Sequence, residues 1–317
     1  MDLHWHVPSL GYPTMARSLN RGIGRYSQVT FKPDARLDPD QVTDVRGRSY
    51  GGGRGLAVGG GGVGLVIALV YLLLGGDPTA LLEPAQGPVV GPAGSQVTQE
   101  CKAGEQANDR ADCRIVGFVN SIQAYWEDAY GQDGGSYTPA QTVIYQDAVG
   151  TGCGSATSAV GPFYCPPDQT VYLDLGFFDD LQSRFGAEGG PLAEGYVVAH
   201  EYGHHIQDLE GLLTAGGGET GAEGRSVRME LMADCFAGVW VFHASSTGFL
   251  EPPTNDQVGQ ALSAAAAVGD DRIQERTQGQ VDPEGWTHGS AEQRQHWFTV
   301  GMTSGKPGDC DTLNSPI

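Results

Sequence analysis

The stretch Leu192-Ala-Glu-Gly-Tyr-Val-Val-Ala199-His200-Glu201-Tyr202-Gly203-His204-His205-Ile206-Gln207 decides how this chain is read. It follows Gly189-Gly190-Pro191, a break able to start a helix, and its apolar residues recur at helical spacing. On a helix, residues four apart lie on one face, about one turn apart. His200 and His204 can therefore address a single metal ion, with Zn–N distances of roughly 2.0–2.1 Å. Glu201 stands beside the first of them, so its carboxylate can flank the metal's open position without ligating. A general base must stand there to take a proton from an attacking water. The bland alternative is a core helix whose histidines only satisfy hydrogen bonds. Two His and a Glu at this spacing argue against it.

A catalytic zinc takes three protein ligands and keeps its fourth position open. After His204, the positions where a turning glycine and a third ligand would follow hold Gln207 and Glu210. Without that glycine the helix continues, and six residues rotate Glu210 about 240° away from His204. Asp208 stays on the His face but lies one further turn along. Glu230, in Glu230-Leu-Met-Ala-Asp234, is the better candidate. Ser226 suits an N-cap, and residues 227–244 read as a second amphipathic helix. Glu230 and Asp234 share one of its faces. Their neighbours Leu231, Met232, Cys235, Phe236, Val239 and Trp240 are mostly apolar. The helix is therefore expected to be buried rather than to show an exposed acidic face, and buried carboxylates need partners. One zinc ion (Zn2+) is expected on His200, His204 and Glu230, with Asp234 orienting a ligand histidine through its other ring nitrogen.

Residues 200–207, Glu-Leu-Met-Ala-Asp-Cys-Phe-Ala-Gly-Val-Trp at 230–240 and Thr-His-Gly-Ser-Ala-Glu-Gln-Arg at 287–294 closely resemble the bacterial predicted neutral zinc metallopeptidase family, the YpfJ-like proteins. So do Thr-Gly-Cys-Gly-Ser-Ala at 151–156 and Gly-Pro-Phe-Tyr-Cys-Pro at 161–166. The resemblance runs from about Phe31 to the C-terminus. It implies a membrane-tethered, zincin-like domain with Glu230 as third ligand, the glutamate-ligand pattern.

The 317 residues carry 18 Lys+Arg against 38 Asp+Glu, a formal net charge of −20. Such acidity argues against nucleic acid as a partner. Leu56 to Gly76 has no charged residue and, as a helix, would rise roughly 30 Å, the hydrocarbon thickness of a bilayer. Glycines at 59–62 also suit a flexible linker, but Val63 to Leu74 is strongly apolar. Arg46, Arg48 and Arg54 precede it, and Asp77 and Glu83 follow. The positive-inside rule then predicts a single-pass protein of the bacterial cell membrane with a cytoplasmic N-terminus and an extracytoplasmic domain. Residues 1–55 read as a disordered cytoplasmic tail, 56–76 as a transmembrane helix, 77–99 as a Pro/Gly/Ala-rich linker and 100–317 as the metallopeptidase domain.

All six cysteines lie after the apolar segment, which suggests three disulfides in an oxidising compartment. Of the possible pairings, Cys101–Cys113 and Cys153–Cys165 are favoured by proximity, leaving Cys235–Cys310. A Cys-rich second metal site is disfavoured, because no Cys-x-x-Cys pair is present.

The expected fold is α+β and mainly helical: an active-site helix, a Glu-bearing helix and a small β-sheet. Residues 107–130 read as a helix, and 141–148 and 170–175 as strands. Residues 150–165 are the candidate wall for pairing with an extended peptide, a structural hairpin being the alternative. His288, in a Gly-flanked loop before a helix, is a candidate donor to a developing oxyanion. Tyr202 is expected to pack, and so are His205, His243 and His296 unless they lie at the surface. Asp270-Asp271-Arg272 suggests a buried salt-bridge knot. These features favour a zinc peptidase acting on a peptide or protein. A non-catalytic zinc scaffold or chaperone-like module, and a zinc amidase acting on the cell envelope, are the competing readings.

Overall fold

The computed structural model describes residues 30–47, 96–213 and 218–317. In chain order its elements are β1 (Val42–Asp44), α1 (Gln96–Glu100), α2 (Gly104–Asp109), α3 (Ala111–Gln132), β2 (Gln141–Tyr145), β3 (Ala148–Thr151), β4 (Gly154–Thr157), β5 (Phe163–Cys165), β6 (Thr170–Asp174), α4 (Gly176–Ser183), α5 (Pro191–Leu209), α6 (Arg225–His243), α7 (Asn255–Ala267), α8 (Asp270–Gln278) and α9 (Ala291–Ser304). The chain is mainly helical with a small sheet, the α+β class its pattern predicts. The helix expected over 107–130 is two, parted at Arg110, whose backbone is extended.

The sheet runs β1-β2-β6-β5, parallel across its first three strands, with β5 antiparallel at the edge. All five residues of β6 are buried, as a strand covered on both faces requires. β3 and β4 form a separate hairpin.

Strand β1 corrects the reading of residues 1–55 as a disordered cytoplasmic tail. Residues 30–47 are built into the domain. Phe31 is fully buried. The Asn108 side chain accepts from the N–H of Thr30 and Phe31 and donates to the Phe31 carbonyl. Asn120 pairs both ways with the backbone of Asp38, and Arg46 reaches Asp44 and Asp112. Three strand residues give too short a period to read, and their partner strand lies far downstream. With β1 paired, residues 30–47 lie on the same side of any membrane as the domain. Residues 1–29 and 48–55, the apolar segment 56–76 and residues 77–95 fall outside the described residues, and the last linker residues, 96–99, begin α1. Among the described residues no helix is long and apolar enough to cross a membrane.

All three expected disulfides form: Cys101–Cys113, Cys153–Cys165 and Cys235–Cys310. The third ties α6 to the C-terminal tail.

Helix α5 begins where Gly189 and Gly190 take φ of 71° and 108° and Pro191 fills the first helical position. It packs on the sheet through Tyr202, whose hydroxyl meets Thr142 Oγ1 at 2.8 Å, and through buried His205, held between the Tyr164 hydroxyl and the Thr138 carbonyl. Helix α6 starts at Arg225 behind Gly224, not behind Ser226. The chain turns so tightly there that a side chain at 224 would collide with the carbonyls of Glu219 and Thr220. Gly203 lets α5 and α6 approach: a Cβ there would sit 2.9 Å from the Ala233 Cα.

Candidate metal centre

That close approach brings Glu230 of α6 to both histidines of α5. Its Oε2 lies 3.1 Å from His200 Nε2 and its Oε1 3.5 Å from His204 Nε2. One ligand atom from each of the three residues falls within 4.8 Å of the others. A tetrahedral zinc with bonds of roughly 2.0–2.1 Å would separate its ligands by about 3.3 Å, which the two observed distances bracket. The donors, two imidazoles and a carboxylate, suit zinc with one position left open.

Formal charge points the same way. Glu201, Glu230 and Asp234 gather about the two histidines, with Arg294 paired to Asp234, and the buried carboxylates there favour a bound cation. In the metal-free chain protons take up part of this load. Burial opposes charging of His200, yet Asp234 and Glu230 push its pKa up to about 10. Burial likewise opposes ionisation of Glu230, but His204, His288 and His200 outweigh it and hold the carboxyl well below its ordinary range. Burial raises Glu201 above the usual carboxyl range, with nearby His204 and His200 pulling the other way. A carboxylate shifted upward makes a better proton acceptor near neutral pH.

Each of the two histidines is oriented by a second residue. Asp234 Oδ1 faces His200 Nδ1 at 2.8 Å, which leaves Nε2 for a metal. The same oxygen accepts from the Tyr196 hydroxyl at 2.5 Å, and Arg294 grips the carboxylate through Nε and Nη2. Gln207 does for His204 what Asp234 does for His200. Its Oε1 meets His204 Nδ1 at 2.9 Å and its Nε2 donates to the Met229 carbonyl, joining α5 to α6. Sequence reasoning gave Gln207, Tyr196 and Arg294 no role. Tyr196 lies four residues before His200 and Gln207 three after His204, so helical spacing carried the signal for both. Arg294 arrives from a remote helix, and no helical spacing links it to the histidines.

Asp208 and Glu210 accept hydrogen bonds from the hydroxyls of Tyr164 and Tyr130, consistent with their exclusion as ligands. His288 lines the site's cleft. Asp270 Oδ2 accepts from the N–H groups of Thr287, His288 and Gly289. Its Oδ1 lies 3.3 Å from His288 Nδ1, which Thr287 Oγ1 also meets. The other ring nitrogen, Nε2, is thereby left to address the cleft. Burial opposes charging of His288, and Glu230 and Asp270 prevail to raise its pKa. Of the expected salt-bridge knot, Asp270 pairs with His288, while Asp270 and Asp271 otherwise bind the backbone of residues 287–291. A carboxylate at a helix start can satisfy several loop N–H groups at once. His243 stacks on Tyr125 and His296 lies against Trp297.

The cleft holds about 250 Å3 and is lined by His200, Glu201, His204, Glu230 and the segment 158–166. The wall expected at 150–165 is therefore shifted: 150–157 belong to the β3–β4 hairpin, and edge strand β5 faces the cleft.

A family model described as "Putative neutral zinc metallopeptidase" matches residues 33–313. An uncharacterized protein of Mycobacterium bovis is 50% identical over 77% of this chain and 85% of its own length, as is one of Mycobacterium tuberculosis. The uncharacterized protein YpfJ of Escherichia coli K12 is 40% identical over 89% of this chain and 98% of its own length. No solved structure matches the chain.

Proposed function

We propose, since this chain belongs to the neutral zinc metallopeptidase family, that it hydrolyses peptide bonds at one zinc ion held by His200, His204 and Glu230. The observation that carries this reading is the convergence of those three residues at zinc spacing, with a non-ligating Glu201 on the same cleft. A zinc ion there supplies Lewis acidity to the attacking water and to the scissile carbonyl. Glu201 takes the proton of that water and passes it to the leaving amine. His288, held through Nδ1, donates from Nε2 to the oxyanion. The substrate backbone lies extended beside β5, the edge strand of the sheet. A scaffold zinc would be closed by a fourth protein ligand, whereas the fourth donor on this cleft, Glu201, stands off as a base. Cleavage of a quenched peptide library, abolished by a chelator and by Glu201→Gln and restored by zinc, is the test. Zinc-loaded protein that cuts no peptide would sink the reading.

Attachment to the bacterial membrane through residues 56–76, with the domain extracytoplasmic, is part of the same proposal. Three disulfides favour an oxidising compartment. Since β1 pairs with β2, residues 47 and 96 then lie on the outer face together. Alkaline phosphatase fused at the C-terminus should be active in cells, and an inactive fusion would overturn the placement.

A further inference from the structure

Beside the N-terminal half of α5 the cleft is walled by Phe177, Phe185, Val197, Val268 and Ile273. Val197 lies about one turn before Glu201 on α5. The carbonyl of Val268 accepts from Arg294 Nη1 at 3.3 Å, so Val268 is tied to the guanidinium that grips Asp234. Ile273 lies on α8, where Arg276, about one turn on, donates to the carbonyls of Phe185 and Arg184. The Phe185 ring centroid stands 6.2 Å from that of Phe177. On its other side Phe177 meets Gly161 of the cleft wall, where a Cβ would come within 3.3 Å of the ring.

These apolar residues line the same cleft as His200, His204 and Glu230. Asp180 and Arg184, which line the same cleft, pair with each other at 3.1 Å and are half-exposed. A charged substrate side chain among these apolar residues would lose its water.

We infer that this pocket selects a large apolar side chain, of leucine or phenylalanine size, next to the bond that is cut. The inference rests on the peptidase reading and names the class of substrate for it. Shape and hydrocarbon contact set the preference, and in such pockets a change of one methylene alters selectivity about 10–200-fold.

The test uses the full-length zinc-loaded protein and blocked Gly/Ser host peptides carrying a single Ala, Leu, Phe, Glu or Lys. Binding is measured by calorimetry to the Glu201→Gln variant, which removes turnover from the measurement. Leu and Phe peptides should bind at least about tenfold tighter than the Ala peptide. Ile273→Asp should erase that difference while zinc content stays at the wild-type level. Val197→Ala, a milder change, should move the optimum from Leu toward Phe. Equal affinities across the series, no binding of any peptide, or a preference for Glu or Lys would overturn the inference. Wild-type protein should cut at one fixed bond relative to the apolar residue. Selective binding without cleavage would remove the peptidase reading and leave the pocket, whereas cleavage without side-chain preference would do the reverse.

Discussion

Arg294 and Asp234 form a buried two-pronged pair: Nε donates to Oδ2 at 2.8 Å and Nη2 to Oδ1 at 3.0 Å. Burial opposes ionisation of Asp234, and Arg294 and His200 overcome it, holding the carboxyl below its ordinary range. Arg294→Ala would leave a buried carboxylate short of its cation, at a cost of about 3–5 kcal/mol. Urea denaturation of the metal-free protein should show this loss. Arg294→Lys should recover only part of it, because a point charge cannot make the fork. Wild-type stability in Arg294→Ala would show that the pair contributes nothing net.

Glu201 touches the cleft yet has no ligand to be. Glu201→Gln should keep stoichiometric zinc by elemental analysis and lose about 10²–10⁴-fold in kcat. A variant turning over at the wild-type rate would remove Glu201 as the base.

Glu230→Ala should bind zinc weakly, while Asp208→Ala and Glu210→Ala should bind it as the wild type does. Those two carboxylates are held instead by the hydroxyls of Tyr164 and Tyr130. Competition with a chromophoric chelator measures all three. Full zinc affinity in Glu230→Ala would displace it from the ligand set.

His288→Ala should lower kcat by about 10²–10³-fold with zinc retained. Asp270→Asn keeps the loop's shape but weakens the hold on Nδ1, so its loss should be smaller, about 10–100-fold. Its pH–rate profile should shift, which a purely structural role would not produce. An unaltered kcat in His288→Ala would sink the oxyanion role.

The seat of β1 should weaken in acid. Burial opposes ionisation of Asp112, but its hydrogen bonds from Arg110 and Arg46 lower its pKa on balance. A carboxyl lowered in the folded state contributes stability that is present above the unfolded value of about 3.9 and is lost as pH falls through the folded value. Arg46→Ala should therefore cost about 1–2 kcal/mol at pH 7, discounted for partial exposure, and progressively less below about pH 4. Equal losses at pH 7 and pH 3 in urea melts would count against the ion pair.

The His-bearing helix, the shared faces of His200/His204 and Glu230/Asp234, and two of the disulfides were legible in the sequence because each is local or obeys a fixed period. His200 and His204 lie four apart, Glu230 and Asp234 likewise, and two cystines close loops of sequence separation 12. What stayed hidden joins remote segments. Arg294 meets Asp234 across 60 residues, and Asp270 reaches the His288 loop from another helix. Neither has a period to betray it. Ser226 misled as a cap because close backbone approach, not side-chain capping, fixes the start of α6.

The pairing of Val42 with Thr142 also imposes a timetable on synthesis. The first strand of the sheet leaves the ribosome about 100 residues before its partner, a wait of roughly 5–20 s at 5–20 residues per second. During that interval the apolar run 56–76 is already available to export machinery, while nothing yet exists for residues 42–44 to pair with. Any insertion of that run would thus precede the sheet that could oppose it. A chain threaded in one direction through a bilayer at that moment would strand β1 on the wrong side and leave β2 as a bare edge. Were that run inserted into a membrane, pairing of β1 with β2 would depend on a choice made before most of the domain has been translated.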